Sequence, residues 1–213
     1  MKKKIALALA AFMMTGALAA CGGDNKAPAA SSGAASGSES ATPTIDAIRE
    51  KGEIVMLTNA QFPPFEFLGD DGSVQGVDPE IAQAVADKIG VKLKIVDMDF
   101  DGIIDALNAG KGDFAAAGMT ITEERLKSVD FSDEYVTSSQ MVVVPAGSGL
   151  TADDAALSGK NIAVQEGTTG DEAVSELGGS TEVFRFKKGM DAVLDLNNDK
   201  IDAVVIDEMP ARA

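Results

Sequence analysis

The groups best able to do chemistry in this 213-residue chain sit where apolar runs end. Arg125 closes the segment Gly118-Met-Thr120-Ile-Thr122-Glu-Glu-Arg125, which follows the run Phe114–Ala117. Thr122 to Arg125 has the form of a capped helix start. Arg125 lies one turn past the cap, within reach of the strand's carboxyl end, where open α/β sheets bind ligands. Gly167-Thr168-Thr169-Gly170-Asp171 follows Ile162–Val164 and opens a helix. Backbone N–H groups at a helix start bind carboxylates, and threonine hydroxyls add donors; a plain N-cap threonine accounts for the same residues. Asp207 follows Ala203–Ile206, as a ligand group or as the cap of a last helix. Phe62 and Phe100 lie beside strand ends, where lone aromatics are more often core than site.

Other chemistries drop out. The chain has no histidine, which removes Ser-His and Cys-His catalysis and His-ligated metals. Its one cysteine cannot form an internal disulfide. Asp97-Met-Asp99-Phe-Asp101-Gly102 opens like a calcium loop, but Asn108 stands where the bidentate glutamate belongs. There is no Walker loop, G-x-G-x-x-G or G-x-S-x-G.

The elements that must position these groups follow from the pattern of apolar residues. Ile54–Leu57, Phe114–Ala117, Met141–Val144, Ile162–Val164 and Ala203–Ile206 are continuous apolar runs, as expected of parallel strands covered on both faces. Asp78-Pro79 reads as an N-cap with proline at N1, followed by Ile81, Val85 and Ile89 at helical spacing and a stop at Gly90. Asp101 reads as the cap of a second helix that carries Ile103, Ile104 and Leu107 and ends by Gly110. Strands alternating with helices define an α/β fold. The segment Asp101–Asp113 is echoed by Asp191–Asp202, each a helix, a turn and a buried strand. The echo predicts two lobes of similar construction, at 45–143 and 144–213.

The first 44 residues stand apart. Lys2–Lys4, the apolar run Ile5–Ala17 and Leu18-Ala-Ala-Cys21 make a secretory signal over residues 1–20, too short for a bilayer span. The cleavage region resembles a bacterial lipobox, which makes Cys21 the lipidated N-terminus. Residues 21–44 are built largely from Ala, Ser, Gly, Pro and Thr and read as a flexible tether. The formal charge is −16 for the whole chain and −19 once Met1–Ala20 with its three lysines is set aside. Such a field repels nucleic acid but not a zwitterion. At the other end, Asp207-Glu-Met-Pro-Ala211 reads as the beginning of a helix, so a C-terminal part is expected to be missing.

Six segments together resemble the polar amino acid-binding proteins of ABC importers (bacterial extracellular solute-binding protein family 3), including the glutamine- and histidine-binding proteins. They are Asn59-Ala-Gln-Phe62-Pro-Pro-Phe-Glu-Phe, Gly76-Val-Asp-Pro-Glu-Ile-Ala, Gly118–Arg125, Val129-Asp-Phe-Ser-Asp-Glu-Tyr135, Gly167–Gly170 and Val204-Val-Ile-Asp207. The resemblance implies a two-lobed periplasmic-binding-protein-like fold of type II that closes on its ligand, with no cofactor and no covalent step. It implies that Arg125 holds the ligand α-carboxylate with Thr120 and Thr169. It gives the α-ammonium to Asp207 and the Gly118 carbonyl, and the side chain to the space between Phe62 and Phe100. Asn59, Gln165 and Thr168 fall near the side-chain end. Family members that take cationic side chains often carry an acid where Asn59 stands, so an uncharged polar side chain is expected. The implied partners are the permease and ATPase subunits, with the protein a monomer at the extracytoplasmic membrane face. Two rivals belong to other classes: a dehydratase of this fold acting on a cyclic carboxylic acid, with Glu66, Glu166 or Glu208 as acid or base, and the ligand-sensing lobe of a receptor.

Overall fold

A computed structural model describes residues 45–178 and 181–213. The signal, Cys21 and the tether lie outside the described residues. Ile54–Leu57 forms the middle of β1 (Glu53–Thr58), buried at every position after Glu53. It is flanked by β5 (Lys92–Asp97) and β6 (Phe114–Ala115), both parallel to it. Strand side chains alternate between faces, and β1 uses both. Ile54 packs with Ile48 of α1 (Ile45–Lys51) and Ala86 of α2 (Val77–Ile89). Val55 and Leu57 pack with Ile103 and Ala106 of α3 (Ile103–Asn108).

A second sheet runs β7 (Gln140–Val143), β10 (Ala203–Asp207), β8 (Asn161–Gln165), β9 (Glu182–Phe186). Ile162, Val164 and Val205 meet Leu157 of α4 (Asp154–Leu157) and Val174 of α5 (Thr169–Glu176). Ala163, Val204 and Ile206 meet Ala192 and Leu196 of α6 (Gly189–Asn197). Each large side chain buried in these layers contributes about 1.5–3 kcal/mol. A small antiparallel sheet of β2 (Gln61–Phe62), β3 (Glu66–Leu68) and β4 (Val74–Gln75) joins β1 to α2, and α7 (Glu208–Arg212) ends the chain.

The sequence echo is structural. Asp113 donates its N–H to the Val55 carbonyl at 2.8 Å, and its carboxylate accepts the Val55 N–H at 2.7 Å. Asp202 forms the same ring with Asn161, at 2.8 Å in both bonds. Each aspartate satisfies backbone groups beside the neighbouring central strand that would otherwise be left unpaired.

Several expectations need correction. β7 runs antiparallel to β10; an apolar run reads the same in either direction, so the sequence does not reveal strand sense. Because β7 pairs with β10, Gln140–Val143 joins the second sheet rather than the segment 45–143. Of Phe114–Ala117 only the first two residues form strand. Asp78 is not a cap: α2 starts after Gly76, and the Asp78 side chain is buried against Gly118 and Tyr135. Asp101 does not cap either; it lies inside a 3₁₀ turn, Phe100–Gly102, and its carboxylate pairs with Lys187. The pattern also gave no sign of β2–β4 or β9, because strands of two to five residues with mixed polarity carry too few repeats to read.

Candidate functional site

The carboxyl ends of β1, β6, β8 and β10 border one cleft of about 330 Å³, its solvent-open mouth included. Asn59, Phe62, Phe100, Gly118, Thr120, Arg125, Gln165, Thr168, Thr169 and Asp207 all line it, joined by Glu66 and Ala117. The ten positions proposed from the sequence therefore share one wall, although they lie up to 148 residues apart in the chain.

Arg125 is buried and opens a 3₁₀ turn whose start is held by its own N–H donating to Thr122 Oγ1. Nη1 donates to the Thr120 carbonyl at 2.7 Å and Nη2 to the Gly167 carbonyl at 3.0 Å. The guanidinium lies 5.6 Å from the centre of the Phe100 ring. Burial pulls its pKa below that of a free guanidinium, against the fields of Glu172 and Asp207, yet an arginine stays charged. Among the described residues no carboxylate comes within ion-pair distance of it. A buried cation without an anion is costly, and the cleft it faces can bring one in.

The anion wall continues at α5. Thr168 is the helix N-cap, accepting from the Asp171 N–H at 3.2 Å and donating to the Gln165 carbonyl at 2.8 Å. Its hydroxyl is thus spent on the cap, the plainer of the two readings. Thr169 Oγ1 accepts from Gln140 Nε2 at 3.1 Å, which leaves its own proton to donate. Gln140 was not identified from the sequence; it precedes the apolar run of β7 and has no motif of its own. Gly170 is required there, because a Cβ would lie 2.8 Å from Gln140 Oε1.

The opposite charge comes from Asp207, at the end of β10. It occupies the N-cap position of α7 but makes no side-chain cap bond, so its carboxylate is left to the cleft. Gly118 has φ +55°, and a Cβ there would lie 2.8 Å from the Phe62 ring. Only glycine combines that backbone with that contact.

The two sheets are bridged beside the cleft. Asn59 Nδ2 donates to the Met98 carbonyl at 2.7 Å, and its Oδ1 accepts from Gln165 Nε2 at 2.9 Å. Gln165 also donates to the Lys187 carbonyl at 3.1 Å. Lys187 Nζ pairs with Asp101 at 2.6 Å and Glu166 at 2.8 Å. Hydrogen bonds to Asp101 and then Glu166 hold its pKa above the usual lysine value. Asp97 accepts the Ala60 N–H at 2.8 Å, so the acids of the calcium-like stretch are spent on the backbone and on Lys187.

Two α/β sheets closed over a cleft that offers a cation, a carboxylate and two aromatic faces define a solute-binding protein of the type II periplasmic-binding-protein fold. The chain belongs to the bacterial extracellular solute-binding proteins, family 3, whose profile matches residues 54–210. It is 36% identical over 214 residues to the arginine-binding extracellular protein ArtP of Bacillus subtilis (strain 168), covering 98% of this chain and 74% of that one. It is 35% identical over 210 residues to a probable histidine-binding protein of Neisseria gonorrhoeae, covering 97% and 72%. A truncated, arginine-bound ArgBP from T. maritima superposes with a TM-score of 0.76 at 46% identity, over 78% of this chain and 79% of that one. These relatives are named as binding proteins, which favours capture over the dehydratase alternative.

Proposed function

We propose that this protein is the extracytoplasmic, lipid-anchored binding component of an ABC importer, and that it captures a free amino acid without chemical change. The observation that carries the reading is the buried, anion-free Arg125 facing Asp207 across a cleft of amino-acid size. Arg125 and Thr169 take the α-carboxylate, Asp207 and the Gly118 carbonyl the α-ammonium, and Phe62 and Phe100 flank the side chain. No nucleophile is paired with a base among the cleft residues, which speaks for binding rather than catalysis.

Asn59 alone suggested an uncharged ligand side chain. Both ends of its amide are engaged, with Met98 and Gln165, so it does not select the ligand by itself. With that argument removed, the relatives named for arginine decide the order, and arginine is the ligand we put first. Aromatic faces can hold a guanidinium by cation–π attraction, about 0.5–2 kcal/mol each. Thermal-shift and calorimetric titration with L-arginine, L-histidine and L-glutamine is the test. L-Arginine is expected to give the largest shift. Tenfold tighter binding of L-glutamine refutes the arginine assignment, and no response to any amino acid refutes the binding reading.

The anchor is checked separately. Protein extracted from membranes is expected to carry a mass fitting cleavage before Cys21 plus a lipid. A soluble product cut elsewhere, with Cys21 as a free thiol, removes the lipoprotein reading.

A further inference from the structure

Glu66 has no part in the reading above. It lies on β3, is fully buried, and lines the amino-acid cleft. Neither of its carboxyl oxygens has a hydrogen-bond donor among the described residues. Its side chain meets that of Asp78 on α2, which is 1% exposed. Asp78 is well supplied with donors. Oδ2 accepts the Gly118 N–H at 2.9 Å, and the Tyr135 hydroxyl lies 2.8 and 3.0 Å from Oδ1 and Oδ2. No lysine or arginine forms an ion pair with either acid among the described residues. The titratable groups around Glu66 are Asp78 from α2 and Tyr135 from the segment before β7; Arg125 and Asp207 line other walls of the cleft. Arg125 is engaged by the carbonyls of Thr120 and Gly167.

Two ionised carboxylates in contact, both out of water and without a cation, repel each other strongly. One proton removes the conflict. A protonated carboxyl group is a donor as well as an acceptor, so it gives Asp78 a hydrogen bond and meets the need of the orphaned Glu66 oxygens. We propose that Glu66 stands in the cleft wall as a neutral acid sharing its proton with Asp78, and that this pair is the positioning element that holds Gly118 for the ligand ammonium. The second half rests on the amino-acid reading of the site; the proton itself does not. Burial first, then the neighbouring Asp78 charge, pushes the Glu66 pKa up to about 10. Burial and Asp78 also raise that of Tyr135, which therefore remains a donor.

A carboxyl group raised from 4.5 to about 10 on folding binds more protons in the native than in the unfolded protein between those values. Its contribution to stability therefore falls as pH rises through that window. Glu66→Gln keeps a donor and an acceptor in the same shape and cannot titrate. The experiment compares wild type, Glu66→Gln and Glu66→Ala. It reads the infrared carbonyl band of a protonated carboxylic acid at neutral pH, the melting temperature against pH, and the affinity for L-arginine. The band is expected in wild type and lost in Glu66→Gln, whose melting temperature falls less steeply between about pH 6 and pH 9. Glu66→Ala is expected to weaken binding roughly tenfold, from one lost hydrogen bond at the site, with Glu66→Gln recovering most of it. A wild type without the band, equal pH slopes, or equal affinity loss in both variants overturns the proposal. If Glu66→Ala does not fold, band and slope in Glu66→Gln still decide. If wild type binds no amino acid, the site reading falls and the same two measurements still judge the proton.

Discussion

Arg125→Ala is expected to weaken binding of L-arginine by at least tens-fold. The guanidinium is buried, faces the cleft, and has no carboxylate of its own among the described residues. A zwitterion entering this cleft loses its hydration and must find a partner for each charge. Truncating one member of such a desolvated pair costs roughly 2–5 kcal/mol, and about 1.4 kcal/mol is a factor of ten. The same side chain joins Thr120 to Gly167, so its loss also removes a hydrogen bond between the two sheets. Arg125→Lys is expected to recover only part, because an ammonium cannot match two parallel bonds to a carboxylate. Asp207→Ala should show a comparable loss at the ammonium end. Calorimetry of each variant with melting curves alongside checks this. Wild-type affinity in Arg125→Ala places the ligand carboxylate elsewhere. A variant that simply unfolds makes Arg125 a structural residue.

Gly76→Ala is expected to give the largest loss of stability among single-methyl changes near the site. Gly76 has φ 127° and ψ −172°, a region that only glycine occupies without strain. A Cβ there would lie 2.2 Å from the Phe65 carbonyl oxygen and 2.7 Å from that of Pro64. Those carbonyls accept the N–H groups of Asp78 and Val77, so the crowded turn is also the turn that starts α2. Strain and collision together should cost at least about 3 kcal/mol, or roughly 6–12 °C of melting temperature for a domain of this size. Gly72→Ala is the control. Gly72 has φ +77° but nothing within 4 Å of a Cβ, so the strain acts alone and should cost about 1 kcal/mol. Equal melting temperatures for the two variants would falsify the collision argument. Because α2 carries Asp78, and Asp78 holds Gly118, Gly76→Ala should also blunt the ligand-induced shift.

The sequence alone determined the fold class, the order of the central elements and which residues meet at the cleft. The reason is that the runs Ile54–Leu57, Ile162–Val164 and Ala203–Ile206 are apolar on both faces, which suits only covered strands, and the residues after such strands collect at one edge of the sheets. The helix start at Thr168 was legible for the same local reason, a hydroxyl three residues before a free N–H. Tertiary structure decided everything that depends on a partner distant in the chain. Asp78 and Asp101 carry the local signature of helix caps, yet each side chain is drawn to a better partner: Asp78 to Gly118 and Tyr135, Asp101 to Lys187, 86 residues away. The sense of β7 was likewise set by pairing with β10, not by its own residues. Glu66 looked like one acid among 34; only its burial against Asp78 separates it from the rest. Local propensity is a matter of tenths to one kcal/mol per residue, whereas burying a charge beside the right or the wrong neighbour is worth several, so the long-range contact prevails wherever the two disagree.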